Sequence, residues 1–138
     1  PPKCGGQKEG MAAMKNILAV GCGGFFGASA RYLVSLAAAR LDSRGFPLGT
    51  FMVNLLGAFL IGLLSELFAR ACPDRDRLRL FLTTGIMGGF TTFSTFSLET
   101  VNLFQAGRPW MAAANVLLSM TFCLAGAAAG KLCAARLA

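Results

Sequence analysis

Histidine is missing from the 138-residue sequence, and with it go the commonest general base near neutral pH and the commonest metal ligand. Charge is scarce as well. Charged residues make up 14% of the chain and hydrophobic ones 55%, against roughly 25% charged in an ordinary soluble domain. A soluble core of this size cannot hide so much apolar surface, so the composition describes a single-domain integral membrane protein. Catalytic sets are lacking too: no nucleophile stands beside a base, no carboxylates pair inside apolar sequence, and no glycine-rich phosphate loop ends in Lys-Ser or Lys-Thr. The run GCGGFFG imitates a dinucleotide fingerprint, but it lies in an apolar helical stretch rather than after a strand. These absences argue against an enzyme. The five cysteines (Cys4, Cys22, Cys72, Cys123 and Cys133) are odd in number and lack CxxC spacing. They read as small membrane residues rather than as a disulfide frame.

What is present is apolar sequence in four blocks. A spanning helix needs ~20 mostly apolar residues, and residues 17–39, 48–68, 80–104 and 110–132 each qualify. The connections RLDSRGFP, RACPDRDRLR and QAGRP set Pro or Gly beside charge, as turns between membrane helices do. Residues 1–13, including PPKCGGQKEG ahead of Met11, are set apart as a disordered tail or an appended remnant, which leaves 14–138 as the membrane domain. The block after Lys15 imitates a signal peptide, but three more blocks follow and no convincing cleavage site is seen. The expectation is an all-α membrane protein with four transmembrane helices.

The net charge of +7 is not gathered on a polar face, as a nucleic-acid binder would have it; it sits at the ends of the apolar blocks. Lys3, Lys8, Lys15, Arg70, Arg75, Arg77, Arg79, Lys131 and Arg136 fall on one side, and Arg40, Arg44 and Arg108 on the other. That bias favours both termini in the cytoplasm.

Several polar residues interrupt the blocks. Arg31, in GASARYLVS, would cost about 2.5–3.5 kcal/mol near the bilayer centre, so it either lines a vestibule or snorkels along Tyr32 to the interface. Asn54, in GTFMVNLLGAFLIG, must be hydrogen-bonded, as a tie between helices or as a ligand group. In GGFTTFSTFSLE, Gly88 and Gly89 followed by Thr91 and Thr92 would break the third helix and begin another with a threonine cap. Broken helices expose carbonyls to cations and N–H groups to anions. Phe93 and Phe96 share a face of the second half. Their ring edges, which carry positive potential, would accept a small anion, although spacing alone favours a core pair. Glu99 follows, either functional or near the interface. Asn115, Ser119 and Cys123, four apart, form a polar stripe on the fourth helix, as ties or as a permeation track. Gly23 and Gly27, and Gly85 and Gly89, offer close helix packing.

GGFFGASARY, GTFMVNLLGAFLIG and GGFTTFSTFSLE, in that order with four blocks around them, resemble the Fluc (CrcB) family of fluoride channels. The resemblance covers almost the whole chain from Met14 onward. It implies a third helix broken mid-membrane, an antiparallel, dual-topology homodimer in the cell's inner (plasma) membrane, and two fluoride pores per dimer. It further implies a central structural Na⁺ on the backbone carbonyls of Gly88 and Thr91 from both subunits. Phe93, Phe96 and Asn54 correspond to pore positions, Ser94 and Thr95 to the same motif, Arg31 to a vestibule arginine and Glu99 to a pore-end acid. Asn115, Ser119 and Cys123 correspond to the polar track. Fluoride, the lipid bilayer and a second copy are the implied partners, with no nucleic acid. The Lys and Arg bias departs from the near balance that suits dual topology. A small multidrug exporter, also built of four helices, would need an acid deep in the first helix, where this chain has Arg31. A purely structural membrane subunit would account for the glycines and amides but not for the hydroxyl-rich break.

Overall fold

The structure, a computed structural model, describes residues 4–41 and 45–137, with side chains from residue 9 onward. Every element among the described residues is helical: α1 (Cys4–Ala39), α2 (Leu48–Ala71), the short α3 (Asp76–Arg79), a π-helical turn sequence Leu80–Met87, α4 (Gly88–Phe90), α5 (Phe93–Gln105) and α6 (Pro109–Leu137). Proline places the boundaries. Pro47 is the N-cap of α2, Pro73 lies in the turn after it, and Pro109 opens α6, where a missing N–H costs nothing. The turn between α5 and α6 closes with Gly107 at φ +71°. There Gly107 N–H donates to Phe104 O at 3.1 Å and Arg108 N–H to Leu103 O at 3.0 Å, the paired bonds of a Schellman ending.

Among the described residues, three helices are long and apolar enough to cross a membrane: Glu9–Ala39, Leu48–Ala71 and Pro109–Leu137. Large apolar side chains such as Phe25, Phe26, Leu117 and Leu124 stand exposed on them. That is the outward face of a helix whose solvent is lipid. The chain is thus an all-helical, multi-pass membrane protein. The block expected as the third span, 80–104, is not a single helix. It is divided among the π-helical stretch, α4 and α5, and α5 has only 13 residues, short of the ~20 a crossing requires. A helix begins at Cys4 and so takes in most of the residues set apart as a tail; residues 1–3 lie outside the described ones. The π-helical stretch was not expected. Its last turn is closed by Gly88 N–H bonding Thr83 O, one residue further back than in an α-helix.

Small residues decide the packing. α1 lies against the π-helical stretch and α4, and α2 against α6. A Cβ on Gly23 would meet Phe81 O and stand 2.9 Å from Gly85 Cα, and one on Gly27 would meet Ile86 O and stand 2.9 Å from Phe90 N. On the other side, Gly62 faces Ala127 O and Gly130 faces Phe59 O. In lipid no water is expelled between helices, so such backbone-to-backbone contact supplies the dispersion that holds them together.

Candidate functional site

The helix that runs through α4 ends at Phe90, and α5 begins at Phe93. Between them Thr91 (φ −81°, ψ 158°) and Thr92 (φ −152°, ψ 117°) are extended. The four N–H groups that open a helix and the four carbonyls that close one need other partners, and side chains supply part of them. Thr91 Oγ1 donates to Met87 O at 2.9 Å. Thr92 caps α5: its Oγ1 accepts from Thr95 N–H at 3.2 Å and donates to Thr95 Oγ1 at 3.0 Å. Ser94 Oγ lies 3.3 Å from the same Thr92 hydroxyl.

Asn54, on α2, meets the break from across the bundle. Its Oδ1 accepts from Thr92 N–H at 2.8 Å and its Nδ2 donates to Thr92 O at 2.9 Å. The amide pairs with the extended residue as a neighbouring strand would. One turn on, Gly57 leaves room for the Thr91 methyl, which a Cβ there would strike. Among the carbonyls that the break leaves without a helical i+4 donor are those of Gly88 and Thr91. Gly88 O loses the Thr92 N–H that a continuous helix would give it, and Thr91 O loses that of Thr95.

Beside the break lies a cavity of about 390 Å³ lined by Asn54, Thr92, Phe93, Phe96, Ser119 and Cys123 among others, with no charged side chain in its wall. The Phe93 and Phe96 rings are 5.5 Å apart at 42°. They differ in setting: Phe96 is buried, whereas Phe93 is 70% exposed. Asn54, which lines the cavity, gives one amide hydrogen to Thr92, and its amide carries a second.

The remaining expected residues are placed elsewhere. Asn115 is 1% exposed and does not line this cavity; its Nδ2 donates to Thr100 Oγ1 at 2.9 Å, and its Oδ1 accepts from Ser119 Oγ at 3.4 Å. Glu99 accepts from Thr50 Oγ1 at 2.9 Å through Oε1, while its buried Oε2 has no partner among the described residues. It lines two further cavities, of about 370 and 170 Å³, shared with Phe46 and Pro47. Arg31 is half-buried on α1 and does not line the cavity of the Phe pair. Gly88 is exposed with open space around its Cα. Sequence reasoning overlooked Gly57, Thr50, Thr100 and Met120. Gly57 lies three residues past Asn54, and that spacing on one helix face is the signal that would have found it.

Apolar helices folded around a polar interruption define an all-helical membrane protein with a backbone break inside its bundle. The family described as "CrcB-like protein, Camphor Resistance (CrcB)" matches residues 18–131, and the chain belongs to that family. A protein of Ruminiclostridium cellulolyticum named fluoride-specific ion channel FluC is 55% identical over 128 residues, covering 93% of this chain and 98% of that one. Proteins of the same name from Geobacter sulfurreducens and Agrobacterium fabrum are each 48% identical. They cover 90% and 85% of this chain and 100% and 94% of their own lengths. The relatives are named as channels, so this is not a family of enzymes.

Proposed function

We propose that this chain forms a passive, fluoride-selective channel that lets cytoplasmic fluoride leave the cell across its inner (plasma) membrane. The observation that carries the reading is the uncharged cavity walled by two phenyl rings and by amide and hydroxyl groups. Fluoride is small and strongly hydrated. It must exchange water for donors at close range, and ring edges together with the second Asn54 amide hydrogen would offer such donors without a fixed charge that would trap the ion. The names of the relatives point to the same anion. Passive flow suffices, because HF entering from acid surroundings dissociates inside and the anion leaves down its gradient.

In the same reading the third crossing is composite. The π-helical stretch and α4 would cover part of the bilayer and α5 the rest, with the break at mid-depth, where irregular backbone is tolerated only if buried or lining a cavity. The released Gly88 and Thr91 carbonyls suit a hard cation such as Na⁺. When bound, it would neutralise the partial negative charge at the end of α4. Two carbonyls are too few for such an ion. A second, antiparallel copy approaching the open surface at Gly88 would supply two more, and this homodimer would carry two pores. Arg31 would serve a vestibule, Glu99 a pore end, and Asn115, Ser119 and Cys123 a track along α6, while Ser94 and Thr95 hold the break in shape.

The test is anion efflux from liposomes containing the purified protein, followed with fluoride and chloride electrodes. Rapid loss of fluoride with chloride retained is expected. A folded, reconstituted protein that releases no fluoride would overturn the channel reading in favour of a structural subunit.

A further inference from the structure

The cavity brings together two sulfur side chains. Cys123 and Met120 lie three residues apart on α6, hence on one helix face, and both line the cavity beside Phe93 and Phe96. Cys123 is a half-buried free thiol. The other cysteines differ from it: Cys22 and Cys133 are exposed, Cys72 stands at the end of α2, and none of them has a methionine three or four residues away. A thiolate and a thioether are soft ligands, the kind that select Cu(I) and its heavier relatives over Na⁺ or Mg²⁺. We propose that Cys123 and Met120 form a soft-metal site in the wall of this cavity, which takes a monovalent d¹⁰ cation of the Cu(I) and Ag(I) class and, when filled, closes the path to fluoride.

The chemistry balances within the site. The Cys123 S–H bond breaks, its proton goes to water, and the sulfur bonds the metal. Thiolate and cation then cancel, so no net charge is placed in a cavity whose walls offer no counter-ion. The Met120 sulfur completes a two-coordinate arrangement, which suffices for such ions. The bridged pair then occupies the cavity that the Phe rings also line, fills the space an anion must cross and takes away the mobility of the two side chains. Closure, though not metal binding, rests on the channel reading.

Silver ion is the probe, in chloride-free nitrate buffer, on full-length chain in which the other four cysteines are alanine. Efflux is read as the ratio of fluoride rates with and without micromolar Ag⁺ in the same variant, and binding by titration calorimetry on the same preparations. The expected result is one Ag⁺ per chain and an efflux ratio falling at least tenfold, restored by dithiothreitol. Cys123→Ser should abolish both the binding and the fall, and Met120→Leu should weaken binding about tenfold, which corresponds to ~1.4 kcal/mol. Equal binding or equal closure in Cys123→Ser would overturn the proposal, as would unchanged affinity in Met120→Leu. Silver bound at Cys123 with efflux unchanged would remove the closure. A chain that carries no fluoride but binds silver in a Cys123-dependent way would refute the channel reading and leave the metal site standing.

Discussion

Asn54 and Thr92, 38 positions apart, hold each other through two hydrogen bonds of 2.8 and 2.9 Å that join an α2 side chain to the backbone of the break. The amide does two things at once. It takes up a Thr92 N–H that no helix carbonyl accepts, and in the channel reading its second amide hydrogen serves the cavity. Asn54→Asp keeps the acceptor for Thr92 N–H but sets a carboxylate oxygen against Thr92 O. We expect a loss of about 1–3 kcal/mol of stability, the cost of an unsatisfied buried group, together with loss of most fluoride efflux. A melting curve and the liposome assay on one preparation check both, and wild-type flux would remove Asn54 from the pore.

Phe93 and Phe96 should separate function from folding. Phe93 is exposed in the subunit and Phe96 buried. Phe93→Ile is expected to cut fluoride efflux sharply while the melting temperature holds, since few packing contacts are lost. Phe96→Ala should instead lower stability by ~3–5 kcal/mol, as deletion of a buried ring does. Thermal melts of the two variants, compared side by side, test the assignment; equal losses would contradict it.

Gly27 and Gly24 form a matched pair on α1. A Cβ at Gly27 would strike the Ile86 carbonyl, whereas one at Gly24 meets nothing within 4 Å. Helix propensity favours alanine equally at both sites, by ~1 kcal/mol. Gly27→Ala is therefore expected to destabilise by about 1–3 kcal/mol through overpacking, and Gly24→Ala to be neutral or stabilising. Denaturation in detergent gives the sign of each.

Gly107 tests the turn between α5 and α6. Its φ of +71° costs an L-residue roughly 1–2 kcal/mol. Gly107→Ala should lower the melting temperature by that equivalent, and Gly107→Asn by less, because asparagine tolerates the left-handed region better. A larger loss with asparagine than with alanine would exclude the backbone explanation.

How much was legible in the sequence follows the range of each interaction. The helix starts at Pro47 and Pro109 and the hydroxyl cap of α5 depend on residues a few positions apart, and they could be read directly. So could the apolar blocks, although 80–104 reads as one span by hydropathy while its backbone is divided among several helical pieces. The π-helical turns were invisible, because no residue type encodes a shift of one hydrogen bond. The roles of the polar residues were legible only as alternatives. Asn115 reads equally as a tie or a track residue, its bond to Thr100 cannot be read from its spacing, and nothing in the spacing distinguishes the exposed Phe93 from the buried Phe96.

Composition and local pattern by themselves determined an all-helical membrane chain, its turns and a weak point at residues 88–95, because lipid demands that every backbone group be bonded nearby. Only the tertiary structure decided which side chains attend that weak point. Gly57 admits Thr91, Asn54 clasps Thr92, and Ser119 and Cys123 of α6 line one cavity with the Phe pair. Those meetings depend on helix rotation and on the approach that small residues allow. That is a property of facing surfaces, and no single stretch of sequence carries it.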